Sequence, residues 1–463
     1  MTLQRSKTLF QLCYPLLLNA ALSLGVSLLD QMIISAYSDQ AAAAVSIANQ
    51  VLGVAYDFSA LLGVGGVILV ARQLGQGDEA GARRIASVAI AANAALSLLI
   101  ALLLLPLGPL VLRWLNTPAE IVADARLYIH VIAAAMVFNG LLTAAVGVLR
   151  AFGEVKVILA LGVLANVLYV ALELLLIHGH GPVPGLGVLG SALATLLVRV
   201  VGVALLLWVL LRRLRLAWRS GLAAPAWWAL LRRLFKLSLP SVLDNVAYGF
   251  YQLWLVSFIA GLGVATVLGR SYTLALTAFL SLVVMAISQG TEVLVGWRIG
   301  AGDDDGARRR ALRSAVLAML WSTALALLIW ALARPLTGLF TADAQVHRLV
   351  RELLGWTILL QPVTALNTVL FHSLKASGDV LAPVLASQLV MWGVGLPLAW
   401  WLTQQLGLGV VGLWQVFILE ETLKSLYMLQ RWQRGRWRGR MAPGNADTSG
   451  GPQPGHQATA AGA

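Results

Sequence analysis

Apolar runs of about 20 residues or more recur along almost the whole chain, and a run of that length is what a helix needs to cross a hydrocarbon layer about 30 Å thick. They lie at 10–36, 43–74, 86–110, 127–149, 156–178 and 187–211, and again at 237–260, 264–297, 314–334, 352–374, 380–403 and 409–430. In lipid, the backbone amides of such a run must be satisfied within the segment, which makes each one a helix. The expected fold class is therefore an all-α membrane protein with about twelve transmembrane helices. Composition excludes a soluble domain, because only 11% of residues are charged against roughly 25% in soluble proteins. The net charge of +13 does not imply nucleic acid: the basic residues fall in short gaps between apolar runs and form no basic face. The first run has no small-residue cleavage site at its end and reads as a retained helix.

The chain also repeats itself. Leu9-Phe10-Gln11-Leu12-Cys13-Tyr14-Pro15 matches Leu234-Phe235-Lys236-Leu237-Ser238-Leu239-Pro240, 225 residues further on. At the same offset Gly75-Gln76-Gly77-Asp78 and Gly81-Ala82-Arg83-Arg84 match Gly300-Ala301-Gly302-Asp303 and Gly306-Ala307-Arg308-Arg309. Leu149-Arg150-Ala151-Phe152-Gly153 matches Leu374-Lys375-Ala376-Ser377-Gly378 in that register as well. Matches in one register over most of each half indicate duplication. Six helices per copy is an even number, so both copies enter from the same face and form parallel repeats about an axis along the membrane normal, with a central cavity between them.

These observations divide the chain into an N-terminal six-helix lobe at 1–211, a basic amphipathic linker at 212–236, a C-terminal lobe at 237–432 and a tail at 433–463. The linker carries Arg212, Arg213, Arg215, Arg219, Arg232, Arg233 and Lys236 with Trp218, Trp227 and Trp228, which suits an anionic lipid surface. The tail is basic, then rich in Gly, Pro and Ala, and is expected to be disordered. Placing the N-terminus in the cytoplasm puts most of the 33 Lys and Arg on that side, so both termini are expected to be cytoplasmic. Arg83, Arg84, Arg308, Arg309 and Arg310 then read as loop anchors.

A carboxylate inside the membrane is costly unless it is used, which makes each one a functional candidate. On the first helix Asn19, Ser23, Ser27 and Asp30 follow helical spacing and form one polar stripe. Asp30 is the candidate proton carrier, and a static hydrogen bond is the alternative. Pro15 removes a backbone hydrogen bond and either lets the helix bend or merely ends a surface turn. On the fifth helix Glu173 lies two turns beyond Asn166 on the same face. It is either a second buried carboxylate or a side chain at the lipid-water boundary. Tyr169 and Thr195 would line the same pocket, with ordinary packing the alternative for each. Asp57 and Arg199 form either a buried ion pair or a substrate contact. Asp244, Tyr248, Gln252 and Glu292 are polar points in the second lobe, the first three facing the substrate cavity.

In these motifs the sequence resembles the multidrug and toxic compound extrusion (MATE) family. The resemblance runs through Pro15 and Asp30, Gln73-x-Gly75-x-Gly77-Asp78, Leu149-Arg150-x-x-Gly153, Asn166, and Gly187-x-x-Gly190-Ser191-Ala192-x-Ala194-Thr195. It implies a secondary antiporter in which inward flow of H+ or Na+ drives amphipathic or cationic drugs or metabolites outward. The candidate cation or proton site is Asp30, Asn166, Glu173 and Thr195, the candidate substrate cavity includes Asn19, Asp57, Tyr169, Asp244, Tyr248 and Gln252, and the expected location is a bacterial inner membrane. One branch of the family has Asp four residues after the fifth-helix Asn, where this chain has Val170; another has a tenth-helix acid, whereas 361–373 here contains none. The alternative within the superfamily is a flippase for a lipid-linked precursor.

Other features carry less. The expected partners are a small-molecule substrate and membrane lipid, with no nucleic acid, no cofactor beyond the coupling ion, and a monomeric chain. No phosphate-binding loop of the type G-x-x-x-x-G-K-[ST] is present, and no catalytic constellation suggests an enzyme. His178-Gly179-His180 has too few ligands for a metal site. Cys13 reads as a packed thiol, Gly63, Gly65 and Gly66 as places of close helix approach, and Trp392, Trp400 and Trp401 as belt or packing residues.

Overall fold

The computed structural model describes residues 7–179, 184–216 and 227–438. His180, Trp218, Arg219 and the tail beyond 438 lie outside them. Every regular element among the described residues is helical. The N-terminal lobe contains α1 Leu9–Tyr37, α2 Asp39–Ser59, α3 Leu61–Gly75, α4 Glu79–Trp114, α5 Ala119–Ala151, α6 Val155–His178 and α7 Val188–Arg213. The C-terminal lobe contains α8 Trp227–Ala260, α9 Val264–Gly300, α10 Asp304–Ala331, α11 Ala333–Gly338, α12 Ala344–Ala376, α13 Leu381–Val390, α14 Leu396–Trp400 and α15 Gly409–Gln433.

These elements build six spans per lobe, because α2 with α3, and α10 with α11, are single spans broken by one residue, Ala60 and Leu332. The eleventh span is interrupted by π-helical turns at Met391–Gly395 and Trp401–Gln405. Among the described residues ten spans are long and apolar enough to cross a membrane. The two that fail, α8 and α15, contain Asp244 on one and Glu420, Glu421 and Lys424 on the other. α1 is continuous through Pro15.

The boundaries differ from the sequence reading at two places. α8 begins at Trp227, inside the stretch read as linker. The start of the expected tail is folded: Trp437 is buried, stacks on Trp432 with ring centroids 4.4 Å apart and donates its indole N–H to the Trp432 carbonyl. Two large aromatic surfaces covered together outweigh the polar composition around them.

The α3–α4 and α9–α10 turns show the repeat in detail. Gly77 and Gly302 have φ of +80° and +74°, which a side chain would resist, and they let Asp78 and Asp303 reach over the next helix. Asp78 Oδ1 accepts from the Gly81 amide at 2.8 Å, and Asp303 Oδ1 from the Gly306 amide at 2.8 Å. The Gln73 amide and the Arg298 guanidinium, related by the same offset, bind the other oxygens. Gly81 and Gln73 together hold the Asp78 carboxyl below the usual carboxylate range.

The lobes meet through reciprocal contacts. A Cβ on Gly75 would lie 2.1 Å from the Trp297 carbonyl oxygen, and one on Gly300 would lie 2.1 Å from the Arg72 carbonyl oxygen. The Gly65 amide donates to Ser238 Oγ at 2.8 Å, while Gly290 packs against Cys13 Sγ. Between helices in lipid, such small residues allow the dispersion contacts that hold spans together. Around these crossings Leu9, Leu12, Val70, Leu74, Ile287, Leu294 and Trp297 form one core spanning both lobes. At the far ends, the core around Ile34, Leu52, Ile129 and Met136 belongs to the first lobe alone, and that around Tyr251, Leu353 and Trp414 to the second. The lobes are thus joined on the face where α1 begins and α15 ends, and have separate cores toward the other.

Candidate functional site

In the N-terminal lobe α1 runs alongside α6. Asn19 lies against Gly162, where a Cβ would meet its Oδ1 at 1.8 Å, and eleven residues further along each helix Asp30 lies beside Glu173. Tyr169, one turn before Glu173, places its hydroxyl 2.9 Å from Asp30 Oδ1 and 3.3 Å from Glu173 Oε1. Thr195 on α7 lies beside the same hydroxyl. Asp30, Tyr169, Glu173 and Thr195, picked from sequence, therefore converge on one point. Glu173 is 0% exposed, which removes the lipid-boundary alternative. Asn166 is on the same face of α6, and its Nδ2, like Asn19 Oδ1, finds no partner among the described residues.

This geometry limits where protons can reside. A phenol carries one hydrogen and can satisfy one of the two carboxylates at a time. Two facing carboxylates in a low dielectric repel unless a proton or cation sits between them. The cluster is thus suited to taking up one positive charge and giving it back.

The expected Asp57–Arg199 pair does not form. Arg199 donates to Tyr56 Oη at 3.0 Å and its guanidinium lies 4.9 Å from the centre of the Tyr56 ring, while Asp57 lies near the side chain of Asn245 of α8 in the other lobe. The stacking surface of Tyr56 competes for the guanidinium without requiring a second desolvated charge. Beside Asp57, the α2–α3 break is held by Asn93, which accepts from the Leu62 amide and donates to the Ser59 and Gly140 carbonyls.

In the C-terminal lobe, Asp244 accepts from Gln388 Nε2 at 2.6 Å, and Gln252 links Tyr248 at 2.6 Å to Arg270 at 2.9 Å. Nearby, Lys424 lies 3.4 Å from Glu420 and 3.1 Å from Glu421, Tyr251 hydrogen-bonds Glu420, and Asn367 donates to Glu421 at 2.9 Å. Gly395, at the end of the first π turn, leaves room for the Tyr251–Glu420 bond: its Cβ would fall 1.6 Å from Glu420 Oε1. Glu292 pairs with His372 at 2.9 Å. The sequence reading missed the Glu420, Glu421 and Lys424 set, although charges three and four residues apart inside an apolar run were the available signal. Tyr56, Tyr251 and Asn93 gave no such signal, because isolated aromatic and amide residues are common in spans. Among the described residues no three metal-ligating side chains come together.

Comparison with known proteins follows the same outline. The family model described as MatE matches residues 15–175 and 240–401, two blocks whose starts stand 225 residues apart, as the repeat does. An uncharacterized transporter of Bacillus subtilis, YisQ, is 29% identical over 430 residues, covering 93% of this chain and 94% of that protein. A probable multidrug resistance protein NorM of Thermotoga maritima is 24% identical over 434 residues, 93% of each chain. Among solved structures, a Vibrio cholerae MATE transporter, VcmN, superimposes with a TM-score of 0.84 at 20% identity, covering 92% of this chain and 96% of that one. A MOP superfamily transporter from Pyrococcus furiosus gives 0.83 at 19%, covering 93% and 95%. At these identities the solved structures establish the fold.

Proposed function

The chain belongs to the MatE family of transporters, and from that premise we propose that it is a proton-driven antiporter that expels amphipathic, cationic organic compounds. The observation that carries this reading is the single Tyr169 hydroxyl between the Asp30 and Glu173 carboxyls. A proton arriving at the pair neutralises one carboxyl and lets Tyr169 donate to the other, drawing α1 and α6 together. Loss of that proton leaves two facing negative charges, which favour a cationic guest at the same place. Proton and substrate thus compete for one site, and exchange follows. Asn19 and Asn166 offer hydrogen bonds to the guest, and Asp57, Asp244, Tyr248 and Gln252 belong to the cavity between the lobes. Na+ is the second coupling ion to test, with Asp30, Glu173, Asn166 and Thr195 supplying oxygens.

A flippase for a diphosphate-linked lipid is disfavoured, since Arg199 and Arg270, two cations inside the helices, are turned to Tyr56 and Gln252. We further propose a monomer in the cytoplasmic membrane of a bacterium, with both termini inside, as its arginine distribution supports.

The test is dye efflux from proteoliposomes under a proton gradient and, separately, under a sodium gradient at fixed pH. Proton-driven efflux that is abolished in Asp30→Asn is expected. Efflux driven by sodium alone, or unaltered in Asp30→Asn, would refute the proton reading.

A further inference from the structure

A cavity of about 200 Å³ lies on the face where the lobes join, lined by Leu69, Arg72, Gln73, Gln76, Leu230 and Arg233, with Ile85 beside them. Its chemistry is two-sided. Arg72 and Arg233 are near enough for their charges to interact, with the Asp304 carboxylate also acting on Arg72, and Gln76 adds an amide beside that of Gln73, which is bonded to Asp78. Leu69, Ile85 and Leu230 form an apolar wall. Two guanidiniums converging on one space is an arrangement for an anion, and the fork geometry of arginine suits phosphate oxygens. An apolar wall beside such a pair is what a soluble ion does not need and what the glycerol and first methylenes of a lipid do.

The repeat gives an independent comparison. The duplicated scaffold does not call for Arg72, because the position 225 residues later is Trp297, buried in the core between the lobes. The scaffold therefore works with an apolar residue at that point, and Arg72 has another use. Arg233 comes from the first turns of α8, so the cavity draws its charges from both lobes, one from the end of α3 and one from the helix that follows the linker.

We propose that this cavity binds the phosphate of an anionic phospholipid, with Arg72 and Arg233 on the phosphate and Leu69, Ile85 and Leu230 against the lipid's apolar part. Bound there, the lipid bridges α3 and α4 of one lobe to α8 of the other. The inference goes beyond the transport reading and does not depend on which ion or compound is moved.

The experiment is native mass spectrometry of the intact protein with phosphatidylglycerol, with phosphatidylcholine and with inorganic phosphate, together with melting temperatures in each. One phosphatidylglycerol retained per chain and a raised melting temperature are expected, with little effect of phosphatidylcholine or inorganic phosphate. In Arg72→Gln/Arg233→Gln, phosphatidylglycerol binding should weaken on the order of tenfold. Arg72→Lys/Arg233→Lys should retain most of it, and Arg83→Gln, at a surface arginine paired with Glu79, should match the wild type. Equal phosphatidylglycerol binding by the glutamine double variant would overturn the proposal. So would an equal response to inorganic phosphate, which would reassign the cavity to a soluble anion.

Discussion

At the scale of single residues, Tyr169 distinguishes a proton relay from two separate acids. Tyr169→Phe keeps the ring and removes the hydroxyl that reaches both carboxyls, so proton-driven efflux should persist at a reduced rate with an altered pH profile. Glu173→Gln should impair proton coupling, and adding Val170→Asp, on the same face of α6 about one turn earlier, should restore part of it. Matched vesicles read both outcomes, and full coupling in Glu173→Gln would remove Glu173 from the relay. In the other lobe Lys424 lies between two carboxylates, with which it carries a net charge of −1. Lys424→Met should lower stability in detergent by about 3–5 kcal/mol, because it strands buried negative charge. Glu420→Gln/Lys424→Met restores the wild-type net charge and should unfold at a smaller loss of temperature than Lys424→Met alone. Asp30 and Glu173 were legible in the sequence because a carboxylate in an apolar run stands out. The partner choice of Arg199 was not: Tyr56 and Asp57 are adjacent, and which of them meets α7 depends on helix rotation.

Elements show why hydropathy alone undercounts. α8 and α15 hold polar and charged residues that satisfy one another in the folded lobe, so their mean hydropathy falls while their environment remains the membrane. The break at Ala60 and the π turns before α14 and α15 were likewise unseen in sequence, and at Ala60 the reason is that a side chain from another helix, Asn93, holds the break. The α3–α4 turn, by contrast, was plain from its Gly-Asp pattern. There the folded Asp78 carboxyl is held below its usual range, so its contribution is present at neutral pH and is lost as pH falls through that depressed value. Asp78→Ala should cost α4 up to about 1 kcal/mol, discounted for the exposure of the site. Hydrogen exchange at the Gly81 amide measures it, and an unchanged rate would show that the cap contributes nothing.

Across the whole molecule the duplication was the most legible feature, and the family followed from its motifs in order. What sequence could not supply was how the halves touch. Asp57 with Asn245 is a polar link between lobes, and the Gly75–Gly300 crossing lies among tightly packed small residues on the joined face. A valine at either glycine should separate the lobes there and stop transport while leaving each lobe helical, as circular dichroism and efflux together would show. The reciprocity of that crossing also bears on ancestry. In a two-fold dimer a residue near the axis meets its own copy, and Gly75 meets the residue that duplication made from the same codon. Neither can compensate for a mutation in the other, because glycine has nothing left to remove. Both copies must therefore stay glycine for the lobes to meet here, so the contact itself carries the mark of the duplication.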